Sequence, residues 1–162
     1  MTTITSTPLT NRNSLLRSIV LGGMFIFIIQ LIHSWIVTTL IQKTPFIVVW
    51  QYIASGALGM AAFEGGIATA LLGVFFHLLI SLVIAGVFFL SAERIPLLRR
   101  YAIAGSFLYG FGVFIVMNMI VTPLSASPPL PAPTLPWLIE AIIEHVLAIG
   151  LPLGILVQRN LS

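Results

Sequence analysis

The chain has 162 residues, of which 59% are hydrophobic and only 7% are charged, and its mean hydropathy is +1.13. Soluble domains carry about 25% charged residues, so seven basic and four acidic side chains cannot supply the surface of a soluble domain. The composition predicts an all-α, polytopic membrane protein whose main partner is the lipid bilayer. A net charge of only +3 argues against binding to nucleic acid, and zero cysteines exclude disulfides, iron–sulfur clusters and thiol catalysis.

The chain divides into a tail and one bundle. Residues 1–14 are rich in Thr, Ser and Asn and lack helical periodicity, which predicts a disordered cytoplasmic tail. Residues 15–162 are predicted to form a single transmembrane helix-bundle domain. Because about 20 apolar residues cross roughly 30 Å of hydrocarbon, four stretches are predicted to span the membrane: 18–41, 65–92, 101–122 and 137–157.

Two connections between these spans are unusual. The segment 46–60 is too apolar for an ordinary loop, and Trp50 and Tyr52 favour the headgroup region of a bilayer. It is therefore predicted to be an interfacial or re-entrant helix. The outer loop 123–136 contains six of the ten prolines, which predicts an extended connector. Pro152 removes one backbone hydrogen bond and predicts a local opening of the fourth span.

The basic residues predict the orientation, because cytoplasmic loops retain Lys and Arg. In a four-span topology only Lys43 falls on the outer side. The other six basic residues fall together on the opposite side: Arg12, Arg17, Arg94, Arg99, Arg100 and Arg159. This bias predicts that both termini are cytoplasmic and that the loops 42–64 and 123–136 lie outside.

Ionisable groups are concentrated in the outer half of this predicted bundle. Counting about 1.5 Å per residue from the outer helix ends places Glu140 about 5 Å deep, Glu144 about 10 Å, His33 and His145 about 12 Å, and His77 about 15 to 18 Å. Charged groups at such depths normally face the bundle interior and pair with one another. The sequence therefore predicts a polar pocket, open to the outside, that binds or conducts a small solute, an ion or a proton.

The candidate pocket residues are the polar groups of this outer half: Glu64, His77, Asn118, Glu140, Glu144 and His145. Three alternatives use the same region. His33, His77 and His145 lie on three helices at similar depths, which allows haem b or a metal ion in an electron-transfer protein. A quinone or lipid-headgroup pocket with Trp137 at its rim is the second. The third is hydrogen bonding between helices in a structural subunit or assembly factor of a larger membrane complex.

Enzymatic chemistry is not favoured. No spacing matches a zincin or a P-loop motif, and the chain contains no Asp to complete a usual catalytic triad. Four spans make a small transporter unless copies associate, so we expect a homo-oligomer or membership of a larger membrane complex.

Several strings resemble a family of small bacterial inner-membrane proteins that brings no activity with it. They run in order through about the last two thirds of the chain: 53–59, 62–66, 70–77, 117–118, 123–125 and 145–152. Relatives carry an acid early in the first helix, whereas residues 23–29 of this chain are entirely apolar and His33 comes later.

The resemblance implies a multi-pass protein of the inner (cytoplasmic) membrane. It also implies that four residues within the matching strings are preferred site residues: Glu64, His77, Asn118 and His145.

Overall fold

The computed structural model describes residues 12–160, and every element within that range is helical. The helices are α1 (Arg12–Trp35, continued by the π-helical turn Ile36–Ile41), α2 (Phe46–Leu58, followed by the 3₁₀ turn Gly59–Phe63), α3 (Gly66–Arg94), the short α4 (Pro96–Arg100), α5 (Ala102–Val116, then the π-helical turn Met117–Val121 and Thr122–Leu124) and α6 (Leu135–His145, the π-helical turn Val146–Gly150 and Leu151–Asn160). The all-α class is confirmed.

Five helices are long and apolar enough to cross a membrane: Arg12–Ile41, Phe46–Phe63, Gly66–Arg94, Ala102–Leu124 and Leu135–Arg159. Four of them contain the predicted spans or closely match them. The fifth coincides with the segment 46–60, which the sequence predicts to be interfacial or re-entrant. Most of the predicted tail 1–14 lies outside the described residues, but residues 12–14 already belong to α1.

α1 and α3 pack side by side in opposite directions. Gly23 of α1 packs against Leu82 of α3, and further along α1 the ring of Phe27 lies 5.5 Å from the ring of His77. A later residue of α1 therefore contacts an earlier residue of α3. The two helices are antiparallel, although α2 lies between them in the chain.

α5 and α6 form a second antiparallel pair in close contact. Gly110 of α5 lies against the backbone of His145, and Gly150 of α6 lies against Ser106. A Cβ atom at Gly110 would come within 2.7 Å of the His145 carbonyl oxygen. Only glycine allows this approach, which brings the polar part of α6 into the bundle.

α1 and α6 are antiparallel as well, so direction alternates along α1, α3, α5 and α6. Gly22 packs against Leu153 at one level, and His33 contacts Glu140 at another. One end of the bundle, the arginine end, holds the start of α1 and the ends of α3 and α6 with their basic residues. The other, the loop end, holds the connections 42–45, 64–65 and 125–134.

α2 begins and ends near the loop end. It follows α1 after residues 42–45 and precedes α3 by residues 64–65. Its backbone at Trp50 lies directly against Gly73 of α3. The helix ends at Gly59, whose φ of 60° is a conformation that favours glycine.

The proline-rich connection covers α2. The backbone N–H of Ala126 donates to the carbonyl of Gly56 at 3.0 Å, and the hydroxyls of Ser55 and Ser127 are 3.2 Å apart. The non-helical stretch is shorter than the predicted loop 123–136, because the helices on both sides extend into it. Proline is tolerated in the first turn of a helix, where its missing N–H has no partner to lose.

A proline follows each of the three π-helical turns. Pro45 comes after Ile36–Ile41, Pro123 after Met117–Val121 and Pro152 after Val146–Gly150. Proline donates no backbone hydrogen bond, so within the helices, at Pro123 and Pro152, the carbonyl one turn earlier loses its usual partner; Pro45 lies beyond the end of its helix. A wider turn with longer-range bonds accommodates the loss, and the third turn lies where Pro152 predicts a local opening.

The apolar core lies nearer the arginine end. Its fully buried large side chains come from α1, α3 and α6: Ile26, Phe88, Phe89, Ile149, Leu153 and Val157. The hydroxyl of Tyr109 donates to the carbonyl of Ile84 at 2.7 Å and joins α5 to α3 at this level. The bundle is therefore tightly filled toward the arginine end, and its open space lies toward the loop end.

Replacing Gly73 with alanine is expected to destabilise the protein, because the new Cβ would overlap the carbonyl of Trp50. The free energy of unfolding in detergent should fall by about 1–3 kcal/mol, the usual cost of overpacking. Gly112→Ala is the matched control, since a Cβ there meets nothing within 4 Å. Equal effects of the two substitutions would contradict close packing of α2 on α3.

Candidate functional site

A cavity of about 290 Å³ lies between the helices in the half of the bundle nearer the loop end. Five helices contribute to its wall: α1, α2, α3, α5 and α6. Its polar or amphipathic lining consists of Gln30, His33, Ser34, His77, Trp137, Glu140, Glu144 and His145. Its apolar lining consists of Ile53, Ile80, Ile84, Val113, Met117, Ala141 and Ile149.

An outer acid–histidine pair joins α1 to α6. Nε2 of His33 lies 2.7 Å from Oε1 of Glu140, and the two side chains are 35% and 41% exposed. The distance is that of an ion pair when the imidazole is protonated, although Oε1 of Glu140 has no hydrogen-bond partner of good geometry. It holds the two helices together one turn nearer the loop end than Glu144.

An inner pair lies deeper and is more buried. Nδ1 of His145 is 2.7 Å from Oε2 of Glu144, and the side chains are only 18% and 10% exposed. The same Nδ1 lies 2.9 Å from the carbonyl of Ala141. A proton on Nδ1 can be donated to the Glu144 carboxylate or to the Ala141 carbonyl. Nε2 is then the ring nitrogen available to a ligand. The side chain of Gln30 lines the same cavity and brings a polar group of α1 to the neighbourhood of this pair.

His77 reaches the cavity from α3, within electrostatic range of Glu144. Its ring is held between two aromatic side chains, with centroid distances of 5.5 Å to Phe27 and 5.7 Å to Trp50. The ring of His145 is similarly fixed at 5.5 Å, edge to face, by Phe114. Aromatic contacts of this kind orient both imidazoles without using their nitrogen atoms.

The structure brings four of the six candidate pocket residues together in this cavity: His77, Glu140, Glu144 and His145. All three histidines of the metal or haem alternative line it too. Glu64 lies outside, exposed in the connection before α3. Asn118 is also outside the lining, and its side-chain amide donates to the carbonyl of Phe114 in its own helix at 2.9 Å.

Sequence reasoning missed two lining residues of α1. Gln30 and Ser34 are spaced four apart and lie on one face of α1, next to His33. That spacing marks a helix-packing face in membrane proteins. The sequence pattern therefore indicates that Gln30 and Ser34 face another helix, but it does not indicate that they line a cavity.

The geometry gives little support to a metal centre. Within residues 12–160, no three side chains of His, Cys, Asp or Glu are grouped so that they could hold a metal ion. His33 and His145 each lie against a carboxylate instead. The haem b alternative needs only two histidines and stays a prediction, as does a metal ion.

The fold and the cavity define a class: an all-helical protein, with five helices long and apolar enough to cross a membrane, that has an acid–histidine cavity between its helices. No family model, no curated protein and no solved structure matches the chain. The resemblance to small inner-membrane proteins therefore remains an expectation, and the cavity itself is the basis for any function.

Replacing Glu144 with alanine should lower the free energy of unfolding by about 1–3 kcal/mol, because His145 loses the buried carboxylate that lies 2.7 Å from its ring. Glu144→Gln should cost less, since the amide keeps an acceptor oxygen. Glu64→Ala is the control and should change stability by no more than about 0.5 kcal/mol at its exposed position. Denaturant unfolding in detergent measures all three. A Glu144→Ala protein as stable as the control would show that the inner pair does not hold the bundle together.

Proposed function

We propose that this protein binds a small cationic solute, in competition with protons, in a cavity that opens toward the outer face of the cytoplasmic membrane. One observation carries the proposal: two carboxylates and three imidazoles from three helices line a single cavity. Glu140 and Glu144 supply negative charge, and the histidines supply sites for protons.

The charge of the cavity favours a cation. With neutral imidazoles the lining carries two negative charges, and each charge at membrane depth costs about 2.5–3.5 kcal/mol on insertion scales. Positive charge entering the cavity offsets this cost. Protons on His33, His77 or His145 can supply it, and so can a bound cation. Binding and protonation therefore compete for the same carboxylates.

The shape of the cavity favours binding over an open pore. Toward the arginine end the lining becomes apolar, with Ile80 and Ile84 of α3 and Ile149 of α6. Below them lies the fully buried core. A volume of about 290 Å³ is at the lower end of the roughly 300–1,000 Å³ typical of ligand pockets. We infer a small ligand held in a pocket that is closed on one side.

The proposed topology has four spans, α1, α3, α5 and α6, with α2 entering and leaving the outer side. Two observations support it. α1 and α3 are antiparallel, whereas a full crossing by α2 between them would make them parallel. The 13 residues of Phe46–Leu58 extend about 20 Å, which is short of a roughly 30 Å hydrocarbon core.

The arginine end is proposed to be cytoplasmic, with both termini on that side. The basic residues lie at this end because the helices alternate in direction. Their position agrees with the positive-inside rule. The loop end, with the mouth of the cavity, then faces outward. Association into a homo-oligomer or a larger complex remains a prediction.

Ethylammonium binding to the full chain in detergent tests the site. Isothermal titration should show binding that Glu144→Gln weakens at least about tenfold, or about 1.4 kcal/mol, because the variant lacks the buried negative charge. Glu64→Gln removes a charge outside the cavity and should bind like the parent protein. The absence of binding, or equal effects of the two variants, would overturn the proposal.

The affinity for ethylammonium should also fall as the pH is lowered from about 8 to about 5, the range in which imidazole takes up protons. The ionisable groups facing the cavity are His33 from α1, His77 from α3, and Glu140, Glu144 and His145 from α6. α2 and α5 contribute apolar side chains. Protons taken up in the cavity offset the negative charge of the carboxylates and repel the cation. Tighter ethylammonium binding at low pH would contradict competition between the cation and protons.

Single-cysteine labelling tests the topology, because the chain has no cysteine of its own. Gln42→Cys and Glu64→Cys flank α2, and both should react with a membrane-impermeant maleimide in intact cells. Leu130→Cys in the outer loop should react likewise. Arg100→Cys should react only after permeabilisation. Opposite accessibility of residues 42 and 64 would mean that α2 crosses the membrane.

A further inference from the structure

A second, larger cavity of about 770 Å³ forms a groove between α1 and α6. Its wall is mainly apolar and includes one stripe of α6, spaced four residues apart: Ile139, Ile143, Leu147 and Leu151. These four side chains are each 42–52% exposed. In a membrane-spanning bundle, such a face lies against lipid tails.

The groove and the polar cavity share a wall. His33, Glu140 and Glu144 line both of them, and they are the ionisable side chains of the groove. These three side chains therefore lie between the polar cavity and the groove, and they are accessible from the groove as well. Lipid tails offer no hydrogen bonds to an exposed carboxylate. A groove with carboxylates at one end and an apolar wall along the rest therefore favours a ligand that is polar at one end only.

The length of the groove fits a hydrocarbon chain. From Ile139 to Leu151 α6 rises about 18 Å, close to the roughly 15 Å depth of one leaflet of the hydrocarbon core. The polar end of the groove, at Glu140, is nearer the loop end, where headgroups of the outer leaflet lie in the proposed topology. An amphiphile in that leaflet would therefore have its head and tail in the required order.

We infer that the ligand is an amphiphile with a protonated amine headgroup and a single hydrocarbon chain, which reaches the cavity sideways from the outer leaflet. This inference rests on the proposed function and names the ligand class of the same site. The amine lies between Glu140 and Glu144, and the chain occupies the groove beside Ile143. Charge complementarity selects a basic head over a neutral or acidic one.

A photo-crosslinking experiment tests this inference. The full chain in phosphatidylcholine nanodiscs is irradiated with dodecylammonium carrying a diazirine at the end of its chain, and crosslinked peptides are mapped by mass spectrometry. Crosslinks should concentrate on α6 between Ile143 and Leu151. Unlabelled dodecylammonium should compete, whereas dodecanol, with the same chain and no charge, should not.

Ile143→Trp fills the groove and should reduce crosslinking about tenfold or more. Ile155→Trp continues the same stripe of α6 beyond the groove and should leave the crosslinking unchanged. Ile155→Trp should also leave ethylammonium binding unchanged, because Ile155 lines neither the polar cavity nor the groove.

The outcomes separate the two proposals. Crosslinks spread evenly over lipid-facing helices, or equal competition by dodecanol, would overturn the inference about the groove. If ethylammonium still binds in a Glu144-dependent way, the polar site survives that result. Failure of both amines to bind would overturn the proposed function together with the inference.

Discussion

The cost of placing carboxylates inside a membrane is the constraint on which this structure depends. Glu140 and Glu144 lie one turn apart on α6, so their helix must turn that face toward other polar groups. His33 of α1 and His145 of α6 meet this need at 2.7 Å each. The glycine contacts between α5 and α6 let the two backbones approach. The polar pairing and the close glycine contacts thus occur in the same part of the bundle, at His145 and Gly110.

Hydropathy was enough to predict most of the helical architecture. Each predicted span is a long uncharged or nearly uncharged run, and the bilayer requires a helix there. The convergence of His33, His77 and His145 was not predictable, because spacing along one helix does not specify the neighbouring helices. Depth counting favoured Glu64 and Asn118 as well, yet depth contains no information about direction around the helix. Asn118 satisfies its amide within its own helix, a local solution that sequence alone does not distinguish from a site.

α2 shows how short connections limit topology. Together with the 3₁₀ turn that follows it, α2 satisfies the hydropathy and length criteria for a membrane span over the 18 residues Phe46–Phe63. The antiparallel packing of α1 and α3 favours instead a segment that returns to the same side. Composition alone cannot decide between these descriptions, because a buried re-entrant helix needs the same apolar residues as a spanning helix. The features that support a returning segment are the antiparallel packing of α1 and α3 and the contact of Trp50 with Gly73. These depend on three-dimensional packing.

Two adjacent stripes on α6 explain why a polar cavity and a lipid-facing groove lie side by side. The stripe through Glu140 and Glu144 and the stripe through Ile139 and Ile143 are offset by one residue, or about 100° around the helix. The acidic stripe faces α1, and the apolar stripe faces outward. The boundary between the acidic and the apolar stripe therefore runs along the contact of α1 with α6. A ligand at that boundary meets charge on one side and hydrocarbon on the other, which is the chemical division within an amphiphile.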